Sequence, residues 1–130
     1  MLETPDTNID PTARISPGAV IGKGAVIGPF CVIGPNVVIG DQCRLLSHVA
    51  LSGHTSIGDR TVIYPNVTIG AGATIGGDCI IHSNVAVRER CTLGDRVILQ
   101  NGVVVGGDGY GFVRRGDGTH ASGVLLGSAH

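Results

Sequence analysis

An aliphatic residue returns at every sixth position over most of this chain. The series runs Ile9, Ile15, Ile21, Ile27, Ile33, Ile39, Leu45, Leu51, Ile57, Ile63, Ile69, Ile75, Ile81, Val87, Leu93, Leu99, Val105, and its next step falls on Gly111. Two residues before each aliphatic stands a small one, among them Ala19, Ala25, Cys31, Val37, Thr55, Thr61 and Val67. A period of six fits neither a helical stripe nor an alternating strand. It fits a short strand followed by a tight turn, with the small and aliphatic residues on one face because they lie two apart. Three such units close a triangular coil, and successive coils stack at the inter-strand spacing of about 5 Å. The expectation is an all-β, single-stranded parallel β-helix.

Composition agrees with a narrow, layered interior. Hydrophobic residues make up 42% of the 130, yet only 3% are aromatic, Trp is absent, and there are 22 glycines. A compact globular core of this size would use several large rings.

Stacked coils turn the sequence into columns. Gly22, Gly40, Gly58, Gly76 and Gly94 share one corner, and Ser16, Gly34, Ser52, Gly70, Arg88 and Gly106 a second. Glycine at these corners is expected to supply positive φ. The third corner reads Asp10, Gly28, Leu46, Tyr64, His82, Gln100. It departs from the glycine rule, and departures of this kind are where function or partner contact is expected.

Formal net charge is -1 and no Lys/Arg cluster occurs, which argues against a nucleic-acid surface. Residues 1–8 read as an acidic, polar lead-in without the features of a secretory signal. No apolar run approaches the roughly 20 residues that cross a bilayer, so no membrane span and a cytoplasmic location are expected. Residues 9–107 form the repeats, and 108–130 a loop leaving the prism and an irregular tail that completes no coil. Cys31, Cys43, Cys79 and Cys91 all hold the small inward position. Cys43 and Cys79 share a face two coils apart, about 10 Å by the stacking distance, too far for a bridge. All four read as small buried side chains rather than metal ligands.

Repeats such as Ala19-Val20-Ile21-Gly22 and Ala25-Val26-Ile27-Gly28 resemble the hexapeptide-repeat acyltransferases, a resemblance that implies left-handed coiling and a homotrimer. Two stretches, Ile27-Gly28-Pro29-Phe30-Cys31-Val32-Ile33-Gly34-Pro35 and Ser47-His48-Val49 through Gly53-His54-Thr55, look like the UDP-N-acetylglucosamine O-acyltransferases of lipid A synthesis. The stretch from Asn84-Val85 to Gly106-Gly107-Asp108-Gly109-Tyr110-Gly111-Phe112 looks more like the UDP-3-O-acylglucosamine N-acyltransferases of the same pathway, and this more specific signal is preferred. The resemblance implies transfer of a 3-hydroxyacyl chain from acyl carrier protein to the amine of a UDP-linked glucosamine, with no cofactor.

Departures from that family are equally visible. Its N-acyltransferases carry an N-terminal domain, further coils beyond the loop that hold the catalytic histidine, and C-terminal helices; none is matched here. A truncated or incomplete version is therefore expected, and a non-catalytic assembly module is the rival reading.

In the family a histidine two residues past the inward aliphatic acts as general base. No histidine here has that offset. His82, one residue past Ile81, comes nearest and is the candidate base, with Tyr64, Gln100 and Asp108 as candidate substrate contacts. His48 and His54 lie three residues past an aliphatic on neighbouring faces, so zinc would need partners from adjacent subunits, and no third ligand is evident. His120 and His130 belong to the tail. Arg114 and Arg115 read as solvated charges, with an acidic carrier protein as the sharper alternative.

Overall fold

The computed structural model describes residues 7–106 and the strands Phe112–Val113 and His120–Ala121. Each six-residue unit forms a two-residue strand, from Asn8–Ile9 to Val104–Val105, and the second residue of each is the aliphatic of the repeat. Strands this short hold only because each pairs in parallel with the strand eighteen residues on, as Val26↔Arg44 and Ile63↔Ile81 do. The pairs build one sheet of seven strands and two of six. Together they form a β-solenoid of about 5 turns, with no helix among the described residues.

The aliphatic column fills the interior. From Ile21 to Val105 it is at most 3% exposed, and the small column between Ala19 and Val103 is equally buried. The step of six is an integer match to the solenoid, so one residue type repeats at one depth through the whole stack.

The corners obey a different rule from the one expected of their glycines. From Ile15 to Leu99 positive φ falls three residues after the aliphatic, at Phe30, Asn36, Gln42, His48, His54 and Arg60 among others, and at Gly18, Gly24, Gly72 and Gly102. Of the named corner glycines Gly106 alone among the described residues has it, with φ of 113°. The corner glycines Gly22 and Gly58 lie outside that region. They are glycine because coils approach closely: a Cβ on Gly22 would stand 2.5 Å from the carbonyl carbon of Gly40, and one on Gly58 2.6 Å from that of Gly76.

Several corner carbonyls fall outside the ladder and accept long turn bonds from the backbone, such as Ala19 N–H to Ser16 O at 3.4 Å. Inward hydroxyls and thiols reach several of them. Thr61 Oγ1 donates to Gly76 O at 2.8 Å, Thr55 Oγ1 to Gly70 O at 3.1 Å, Cys31 Sγ to Leu46 O and Cys43 Sγ to Gly58 O at 2.9 Å. The four buried, free cysteines thus combine small apolar volume with a donor.

Beyond Val105 the ladder continues with a longer step. Phe112–Val113 pairs with Thr92–Leu93, and His120–Ala121 with Ile98–Leu99. From Val105 to Val113, and again to Ala121, the advance is eight residues (113 − 105 and 121 − 113), so strands recur in the tail where the six-residue count had lapsed.

Candidate active site

The decorated corner follows the face made by Val26–Ile27, Arg44–Leu45, Val62–Ile63, Ile80–Ile81 and Ile98–Leu99. Its residues are positioned by backbone bonds to the next coil: Leu46 N–H to Ile63 O at 2.9 Å, Tyr64 N–H to Ile81 O at 2.8 Å, and His82 N–H to Leu99 O at 3.0 Å. Tyr64 and His82 are consequently brought together. Their rings stack with centroids 5.1 Å apart and planes 24° apart. Tyr64 is 37% exposed and His82 half-buried, so the pair can meet a ligand while its geometry is held from below. Gln100 is half-buried in the coil above His82. Asp108 lies outside the described residues.

The same corner carries a second ring pair that the sequence reading missed. Phe30 and His48 are tilted against each other at 5.2 Å between centroids. Their spacing of eighteen residues was the available signal, but His48 had been weighed only as a metal ligand. His54 stands on the second corner, three residues past Leu51. No group of three or more His, Cys, Asp or Glu suited to a metal occurs among the described residues.

Beside the coils that carry Phe30 and His48 lies a cleft of about 330 Å³, lined by Val26, Pro29, Arg44, Leu46, Ser47 and Pro65. Gly28, directly below Leu46 in the corner column, also borders it. A Cβ at Gly28 would meet Leu46 O at 2.7 Å. The lining is mainly apolar, with Arg44 its one charged side chain. Arg44 is exposed and makes no ion pair among the described residues.

Charges elsewhere serve the frame. Asp41, Asp59 and Asp95 each accept a backbone N–H from the coil below, at 2.9, 2.8 and 2.8 Å. Arg60 pairs with Asp78 at 2.8 Å, and that hydrogen bond holds the Asp78 carboxyl below its usual range. Asp10 is likewise lowered by bonds from the Thr12 hydroxyl and N–H.

A family model described as bacterial transferase hexapeptide (six repeats) matches residues 5–35, 36–71 and 72–107. The chain belongs to this hexapeptide transferase family. Its fold is accordingly the family's left-handed parallel β-helix. No curated protein sequence matches the chain. Among solved hexapeptide transferases, PerB from Caulobacter crescentus, in complex with CoA and GDP-perosamine, superposes with a TM-score of 0.83 at 21% identity. That match covers 90% of this chain and 54% of PerB, and at this identity it speaks for the fold. A UDP-N-acetylglucosamine acyltransferase is 31% identical, with a TM-score of 0.55, over 77% of this chain and 53% of its own length. The chain thus spans about half the length of each of these two solved proteins. No helix among the described residues is long and apolar enough to cross a membrane.

Proposed function

We propose that this chain forms the prism of an acyltransferase that moves an acyl group from a thioester to a nucleotide-linked amino sugar, with His82 as general base. The stacked Tyr64–His82 pair carries the reading. It presents an imidazole at the functional corner, oriented by an aromatic neighbour and open to ligand. In the reaction the imidazole of His82 takes a proton from the sugar amine as its nitrogen attacks the thioester carbonyl. A tetrahedral intermediate forms, the C–S bond breaks, and the departing thiolate recovers the proton from the imidazolium. Tyr64 and Gln100 would contact the sugar, and Asp108 is retained as a further contact.

In its specific form the proposal is the lipid A step that the Gly-Asp-Gly-Tyr-Gly-Phe run suggests: a 3-hydroxyacyl chain passes from acyl carrier protein to UDP-3-O-acylglucosamine in the cytoplasm. O-acylation of UDP-N-acetylglucosamine is the second reading, favoured by the 31% identity to an acyltransferase named for that substrate. Homotrimer formation is part of the proposal. Beyond Arg44 the outer surface of the first face carries Val62, Ile80 and Ile98, a short apolar row suited to a subunit contact.

The test incubates the chain with 3-hydroxyacyl carrier protein and either sugar nucleotide, with mass followed by light scattering. His82→Ala is expected to slow transfer by about 10²–10⁴-fold, as loss of a general base does. A folded trimer that transfers to neither sugar would leave the non-catalytic assembly module as the answer.

A further inference from the structure

We infer that the cleft beside Arg44, together with the exposed ring of Phe30, is the binding site for the nucleoside diphosphate part of the sugar substrate. This rests on the nucleotide-sugar reading above, and it assigns residues which that reading leaves unused.

Phe30 is the starting point. It is 57% exposed and adopts φ of 59°. Every other non-glycine residue with positive φ among the described residues is Asn, Gln, His, Arg or Asp. A bulky aromatic there is conformationally disfavoured, and strain of this kind persists chiefly where a side chain has a use. The ring is neither buried nor needed to fill the core. It rests on His48, so the two make a small aromatic platform on the functional corner.

The cleft supplies what a platform lacks. Its volume of about 330 Å³ falls at the lower end of the range for small-molecule sites. Its charged member, the unpaired Arg44, offers the planar donor fork that suits phosphate oxygens. Along the prism axis Phe30 comes first, Arg44 and His48 share the next coil, and Tyr64 and His82 follow in the two after it. A nucleoside diphosphate sugar has the same order: a flat base, a dianionic bridge, and a sugar. From the coil of Arg44 to that of His82 is two stacking steps, about 10 Å. With its base on Phe30 and its diphosphate at Arg44, the ligand would extend its sugar toward the His82 imidazole.

The test titrates the full chain with uridine diphosphate alone, by calorimetry, and needs no acyl transfer. Saturable binding is expected, weakened about tenfold or more by Arg44→Ala and by Phe30→Asn, since stacking and phosphate contacts each contribute on that scale. Phe30→Asn is chosen because Asn tolerates the left-handed backbone. Its melting temperature should hold or rise while affinity falls, separating a binding role from a structural one. His54→Ala, on the second corner, should bind like the parent. Absence of binding by the parent, or unchanged affinity in both Arg44→Ala and Phe30→Asn, overturns the site. If transfer proceeds while affinity ignores Arg44 and Phe30, the acyltransferase reading survives and this site falls. If uridine diphosphate binds through both residues but no sugar is acylated, the site stands and the transfer reading falls.

Discussion

The imidazole of His82 lies on the phenol ring of Tyr64, with ring centres 5.1 Å apart and planes 24° apart. The two residues are eighteen apart in sequence and one coil apart in space. Their backbones are locked by ladder bonds to neighbouring coils, so the ring contact follows from coil stacking and helps to orient the imidazole.

Replacing Tyr64 should therefore affect His82 through orientation. Tyr64→Phe keeps the ring and is expected to retain most transfer activity. Tyr64→Ala should lower kcat about tenfold, the scale of an aromatic contact worth ~0.5–1.5 kcal/mol. Proton NMR of the His82 ring in both variants checks the cause, since only Tyr64→Ala should remove the ring-current shift.

Two glycines should respond to alanine in opposite proportion to their φ. Gly102 has φ of 78° but open space around its missing Cβ. Gly102→Ala should cost about 1–2 kcal/mol for the left-handed backbone alone. Gly58 has no such φ, yet its Cβ would meet Gly77 N at 2.5 Å and Gly76 C at 2.6 Å. Gly58→Ala should cost about 3 kcal/mol or more, as overpacking against rigid backbone does. Urea unfolding of the two variants ranks them directly.

Thr61 holds two coils together from within. Its hydroxyl donates to Gly76 O at 2.8 Å and accepts the Cys79 N–H at 3.2 Å. Thr61→Val preserves shape and burial but leaves both partners unmatched in the interior. A loss of about 1–3 kcal/mol is expected in the same unfolding experiment. A variant as stable as the parent would show that the corner carbonyl needs no donor.

The buried thiols predict an alkaline limit to stability. Desolvation raises Cys43 to about 11 from 9.0, and pushes Cys31 and Cys79 in the same direction. A raised folded pKa means that the folded state keeps its proton where the unfolded chain has begun to lose it. The contribution is complete below about pH 9 and is lost as pH rises through about 11. Melting temperature should thus fall between about pH 9.5 and 10.5, and Cys43→Ala should flatten that fall (both pH values being about half a unit inside the window). At pH 8, native protein should resist thiol alkylation that the unfolded chain accepts.

Much of this was legible from residues alone. Ile27, Leu45, Ile63 and Ile81 were assigned to one interior face by counting sixes, and the backbone pairs them in that order. Tyr64, His82 and Gln100 were assigned to one corner by counting eighteens. The Phe30–His48 pair obeys the same count at the third position past the aliphatic, where His48 reads as a candidate metal ligand and Phe30 as part of a family-like stretch. The purpose of the corner glycines was misjudged for a related reason: a tight turn suggests positive φ, but the need at Gly22 and Gly58 comes from a neighbouring coil.

What the sequence determined by itself is depth: which residues face inward, which sit at corners, and which share a column. A strict six-residue period admits only one phase, since a slip by one residue would carry the whole aliphatic series out to solvent. What only the tertiary structure decided is contact between columns. The tilt of one ring on another, the cleft at Gly28, the thiol reaching a corner carbonyl and the place of the left-handed residue all depend on the close approach of coils and on side-chain torsions. Those distances arise only after the chain has wound upon itself, and no periodicity in the residue types encodes them.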